Sequence, residues 1–138
     1  MGFILKVGDS IDLGIETVQT VDFSVDTPQD SNARTTDVGV TLKVTGKILT
    51  ILDDGTESTV DLALWSMIPA EQADCYRNVV VQVTAAGQVV REYTLPNAFV
   101  VDYKENYGDT EGVGTFELVV RQKKDKLKST TITGGYES

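Results

Sequence analysis

Histidine is absent from these 138 residues, cysteine and tryptophan occur once each, and proline occurs three times. Without histidine there is no Ser-His-Asp or Cys-His constellation, no two-histidine zinc motif and no imidazole to act as general base near neutral pH. One cysteine, Cys75, permits no internal disulfide, so the core must be held by packing. As a nucleophile Cys75 has only Arg77 as a basic neighbour in sequence, and an unpaired cysteine commonly packs as a small hydrophobe. No run approaches the ~20 apolar residues of a membrane span. The apolar start, Gly2 to Val7, is too short for a signal-peptide core, has no basic lead and reads as a first strand. Lys6 stands where a myristoylation motif beginning at Gly2 needs Ser or Thr.

Basic charge is scarce as well. Twelve Lys and Arg face twenty-one Asp and Glu, a net charge of −9, which disfavours a basic groove for nucleic acid and binding to anionic membranes. An acidic wall could still line a passage along which a polyanion slides. Hydrophobic residues make up 41% of the chain and charged residues 24%, a globular balance. At this length one domain is expected, burying roughly two-thirds of the surface that its unfolded chain exposes.

Along the chain, period-two alternation dominates. Val21, Phe23 and Val25 alternate with Thr20, Asp22, Ser24 and Asp26. Residues 27–37, with Pro28 and several Asx and hydroxyl residues, read as a long exposed loop. Val40, Leu42 and Val44 then alternate with Thr41, Lys43 and Thr45, and the strand runs on past Gly46 to a turn at Asp53-Asp54-Gly55-Thr56. Ser58 and Asp61 approximate a capping box before Leu62-Ala63-Leu64-Trp65, so one short helix is expected over about 59–68. Pro69 should end it, with one further turn at Ala70 to Asp74. Val79, Val81 and Val83 lead into Ala85-Ala86-Gly87-Gln88, and Val89, Arg91, Tyr93 and Leu95 lead away, as a glycine hairpin requires. Pro96 marks a break or an edge. Phe99, Val101 and Tyr103 read as the next strand, 104–112 as a polar loop, and Phe116, Leu118 and Val120 as the last strand. The expectation is a mainly β fold of seven or eight antiparallel strands, a barrel or two-sheet sandwich, with one helix at its side. It fills 1–128 as a single domain, and 129–138 follow as a C-terminal tail.

Chemistry-bearing constellations are weak. The turn at 53–56 reverses the Asp-Thr-Gly order of aspartic proteases and has no second copy. Glu105, Asn106, Asp109 and Glu111 offer oxygen atoms but not the spacing of a helix-loop-helix calcium loop. Gly108, Gly112 and Gly114 lack the following helix and the Lys-Ser/Thr pair of a phosphate loop. Trp65, Tyr93 and Tyr103 fall in apolar phase and read as packing, not as a stacking platform. No catalytic residue, cofactor or metal is expected.

Taken in order, Ser58 to Lys124 resembles the haemolysin-coregulated proteins that form the tail tube of type VI secretion systems, and the related tubes of contractile phage tails. The Leu62-Ala63-Leu64-Trp65 helix precedes a hairpin over 78–95. The stretch Leu95-Pro96-Asn97-Ala98-Phe99-Val100-Val101-Asp102-Tyr103 is similar to the family's strand ending in a polar residue and tyrosine, and Gly114 to Val120 to its closing strand. In the first half, 18–25 and 38–44 look like the paired long strands.

The resemblance implies a non-enzymatic structural subunit, joined edge to edge into homohexameric rings that stack into a tube. Partners would be sheath or baseplate proteins, and the cargo DNA or effector protein passing without chemistry. The chain would be cytoplasmic at synthesis and then part of a virion, phage-like particle or secretion apparatus, without membrane insertion. Thr20, Asp22, Ser24, Asp26, Thr41, Lys43, Thr45, Glu117 and Arg121 are the expected lumen-facing set. Gln29, Asp30, Asn32, Arg34, Thr35, Asn106, Tyr107, Asp109 and Tyr136 are the expected contacts between subunits or rings, the long loop being of a kind that often carries function. A different class stays open: a monomeric β-domain that binds a glycan or protein partner through the 104–112 loop.

Overall fold

Alternation sets the strand faces throughout the computed structural model, which describes residues 1–9, 11–26, 39–49, 56–69, 71–108, 113–122 and 131–134. Strand β1 (Gly2–Val7) turns Leu5 and Val7 inward and Lys6 outward. A turn with Gly8 at φ 55° returns the chain as β2 (Ile11–Leu13), which buries Ile11 and Leu13 around an exposed Asp12. Strand β3 (Val18–Asp26) pairs antiparallel with β4 (Gly39–Leu49), from Asp26 opposite Gly39 to Val18 opposite Gly46, with a register shift between Val18 and Thr20. Strands β5 (Arg77–Ala85) and β6 (Gln88–Asn106) form the expected hairpin. Its two turn residues, Ala86 at φ 54° and Gly87 at φ 77°, take the left-handed backbone that a two-residue hairpin needs. Strand β7 (Val113–Gln122) lies between β6 and β4, and β8 (Thr131–Gly134) pairs with Arg91 to Thr94 of β6. Four residues of the stretch expected as a tail thus join the sheet.

The order is β2-β1-β5-β6-β7-β4-β3, an eight-stranded antiparallel sheet among the described residues. Its two ends are not hydrogen-bonded to each other, so the barrel is open. The sheet folds over its own apolar face, and Phe23 of β3 stacks on Tyr93 of β6 with ring centroids 4.3 Å apart. Leu5, Val7, Ile11, Leu13, Leu42, Val44, Val79, Val81, Leu95, Leu118 and Val120 fill the space between the layers.

Helix α1 (Thr56–Ser66) covers one part of this core with Leu62 and Trp65. It begins before the expected 59 and takes in Thr56, which reads as turn in sequence. It also ends two residues before the expected 68. The Met67 and Ile68 amides bond to the Leu64 and Trp65 carbonyls three residues back, a tightened last turn ahead of Pro69. The Trp65 indole N–H donates to the Cys75 carbonyl at 2.8 Å, tying α1 to a short 3-10 turn over Ala73–Cys75, close to where the sequence suggests one. The Arg77 guanidinium lies 5.6 Å from the centre of the same indole.

Strand β6 departs from expectation in three places. Pro96 does not end it: the strand continues through Asn97 at φ 59°, the β5 register shifts there, and the Gln122 side-chain amide donates to the Pro96 carbonyl. A bulge between Val100 and Asp102 then moves Val101 to the outside, 52% exposed, while Val100 and Tyr103 pack on the core. Phe99, Val101 and Tyr103 therefore do not share a face. Lys104 to Asn106, read as the start of a loop, are strand.

Candidate functional site

Leu42, Val44, Leu118 and Val120 are buried on the core side of β4 and β7, so the intervening residues form the opposite face of the sheet. Register carries that face across four strands. One row runs Thr20, Thr45, Glu117, Lys104, the next runs Asp22, Lys43, Val119, Asp102, and the third runs Ser24, Thr41, Arg121, Phe99. Asp26, opposite Gly39, follows at the end of β3. The residues expected along a lumen wall thus lie in adjacent register positions.

Sequence reading missed Asp102 and Lys104 as members. Their signal was present, a polar residue at every second position, but the bulge before Asp102 shifts the phase by one, and the stretch from Lys104 reads as loop.

The rows are electrostatically paired. Lys43 Nζ lies 3.6 Å from Glu117 Oε1, Lys104 Nζ lies 3.6 Å from Asp102 Oδ2, and Asp22 stands directly opposite Lys43. The Thr20 and Thr45 hydroxyls hydrogen-bond to each other. Exposed pairs of this kind contribute roughly 0–1 kcal/mol each, so they define the character of the surface more than its stability. Asp22, Asp102 and Glu117 balance Lys43, Lys104 and Arg121. The acidic wall that a net charge of −9 suggests is not what these three rows present.

Among the expected contact residues, Asn106 and Tyr107 are exposed at the end of β6. The Tyr107 hydroxyl donates to Glu105 Oε1 at 2.9 Å and the Tyr103 hydroxyl donates to Glu105 Oε2 at 2.6 Å. Burial, and then the hydrogen bond to the Glu105 carboxylate, push both phenols above their ordinary range, Tyr103 strongly. The Tyr107 ring lies against the Cα of Gly114, where a side chain would collide with it. Gln29, Asp30, Asn32, Arg34, Thr35, Asp109 and Tyr136 lie outside the described residues.

Little else is arranged for chemistry. No group of three or more His, Cys, Asp or Glu that could hold a metal occurs among the described residues. Cys75 is buried, and burial raises its thiol pKa against the opposing pull of Arg77. No helix among the described residues is long and apolar enough to cross a membrane.

The open, folded-over sheet with one flanking helix is similar in fold to solved tail-tube proteins. Hcp1 from Flavobacterium johnsoniae matches over 100% of both chains at 17% identity, with a TM-score of 0.59. The tube-terminating cap of the anti-feeding prophage matches 96% of this chain and 88% of its own, at 13% identity and a TM-score of 0.54. A chain in the extended sheath-tube complex of an extracellular contractile injection system matches 97% of this chain and 89% of its own, at 15% identity and a TM-score of 0.52. No protein-family model matches the sequence, and no curated protein does. The resemblance to the haemolysin-coregulated and tail-tube proteins therefore holds at the level of the fold.

Proposed function

We propose that this chain is a structural tube subunit of a phage tail, phage-like particle or contractile injection system. In this reading, copies join edge to edge into six-membered rings. The rings stack, with sheath or baseplate proteins outside, and the cargo, DNA or effector protein, passes without reaction. The observation that carries it is the likeness in fold to tube, cap and sheath-tube chains over 96–100% of this chain, with a largely polar face in register across four strands opposite an apolar core. Any half-buried antiparallel sheet has such a polar face, so the likeness in fold is what makes it a proposed lumen wall. Strand β3, which pairs only with β4 among the described residues, supplies an edge for the next copy. Paired charges make that wall hydrated yet without strong attraction for either sign of polymer, which suits passage.

The test places a cysteine on the wall. Ser24→Cys is assembled and treated with a small maleimide and with one carried on a large polyethylene glycol. In a ring or tube with this face inward, the small reagent labels Cys at 24 and the large one is excluded, while the dissociated chain takes both. Equal labelling by both reagents in assembled particles would remove this face from the lumen. A chain that never assembles and binds a glycan or protein through the end of β6 would instead favour the monomeric domain.

A further inference from the structure

Strand β8 fits its place on the sheet closely yet is held there weakly. Ile132, Thr133 and Gly134 are all exposed, so the strand is held by main-chain pairing with Arg91 to Thr94 of β6 and not by buried side chains. Such bonds replace bonds to water and bring a small net gain, which the cost of ordering the strand offsets. The fit is nevertheless particular to this sequence. A Cβ at Gly134 would fall 2.6 Å from the Val90 carbonyl oxygen, so only glycine lets the strand lie so near. Register sets Ile132 at the end of the row Leu5, Val81, Tyr93, in which Leu5 and Val81 are fully buried while Ile132 is 50% exposed. The apolar row thus runs past its cover.

The tether to β8 is longer than this position needs. Gln122, at the end of β7, stands opposite Ala98, and Thr131, at the start of β8, stands opposite Thr94, so β8 follows β7 along the edge of β6 that faces away from β5. From Ala98 to Thr94 is about 13 Å of strand, whereas the eight residues 123–130 that join β7 to β8 can reach about 30 Å.

We propose that β8 is exchanged between copies of this chain: when copies associate, β8 of one pairs with Arg91 to Thr94 of the next. An identical strand on an identical edge makes the same hydrogen bonds, and the surplus tether supplies the reach. Copies held side by side present that edge to each other at high effective concentration, and the exposed half of Ile132 then lies at the seam between two copies instead of in water. The exchange rests on the self-association proposed above, and on nothing about the lumen or the cargo.

Glu92 and Thr133 stand opposite each other in the pairing, at a separation that a disulfide spans. Two full-length chains are made with Cys75→Ala, one also carrying Glu92→Cys and the other Thr133→Cys with a size tag. They are unfolded in urea, mixed, refolded together, concentrated and oxidised with copper phenanthroline, and non-reducing gels read the products. Exchange predicts a mixed 92–133 dimer about tenfold more abundant than the dimers that either chain forms alone. The double variant Glu92→Cys/Thr133→Cys should give a ladder of linked chains. A double variant linked only within one chain, with no mixed dimer, in samples that scatter light as rings would overturn the exchange and leave the tube reading standing. So would the absence of any disulfide at these positions in such samples, whereas chains that stay at 15.0 kDa throughout would overturn both readings. Gly134→Val, which bars β8 from the edge, should leave the circular dichroism and thermal midpoint of the dissociated chain unchanged and weaken association about tenfold. Association equal to that of the wild type would overturn the exchange.

Discussion

Trp65→Phe should destabilise the chain by about 2–4 kcal/mol. The indole N–H satisfies the buried Cys75 carbonyl at 2.8 Å, and an orphaned buried carbonyl costs about 1–3 kcal/mol. The smaller ring also leaves about 40 Å³ unfilled, which at roughly 24 cal/mol per Å³ adds about 1 kcal/mol. For a chain of this length the sum lowers the melting midpoint by about 10 °C. Because the substitution removes the sole tryptophan, urea unfolding is followed by far-ultraviolet circular dichroism, with the midpoint and slope compared at equal protein concentration. Leu64→Ser, one residue away on the exposed side of the same helix, should change stability by less than about 0.5 kcal/mol. A Trp65→Phe loss below about 0.5 kcal/mol, or equal losses for the two variants, would refute the assignment of α1's inward face.

Gly46→Ala should cost about 1–3 kcal/mol in the same assay, because a methyl there meets the Thr17 carbonyl and comes within 2.6 Å of the Phe116 ring, neither of which is free to retreat. Stability should begin to fall near pH 9, where the unfolded chain ionises Cys75 and the folded chain, whose thiol pKa is raised by burial, does not, and fall more steeply above about pH 10, the ordinary phenol range. The unfolded chain then ionises Tyr103 while the folded chain, whose phenol pKa is raised by burial and the Glu105 bond, does not. Tyr103→Phe should flatten that decline, and an unchanged slope would count against the buried phenol. Cys75 should resist a thiol reagent at pH 8 in the native chain and react fully in denaturant, since it is buried with a raised pKa; rapid native labelling would contradict its placement.

What the sequence made legible follows from what local pattern can encode. The alternation over 20–26 and 40–45, the apolar phase of 116–120 and the Ala86-Gly87 turn each fix a strand face or a reversal by short-range chemistry, and each stands in the fold. Trp65 was readable as the helix's anchor because it sits within an apolar run. Strand β6 was not readable, because Pro96 looks like a terminator in isolation. The β5 register shift and the left-handed Asn97 carry the strand past a residue without an N–H, while the Gln122 amide satisfies the Pro96 carbonyl, and these are tertiary facts. The bulge at 100–102 likewise inverts the phase by one residue, which hid Asp102 and Lys104 from the polar face. The balanced charge of those three rows was also invisible to composition, since other carboxylates lie elsewhere, as at Asp9, Glu16, Glu71 and Asp74.

Ring formation is the central claim, and light scattering of the purified chain over a concentration series, with negative-stain images of the same samples, tests it most directly. The account predicts particles of about six times the 15.0 kDa chain mass, seen as rings, with stacked tubes at high concentration. A strictly 15.0 kDa species without rings at every concentration would contradict it.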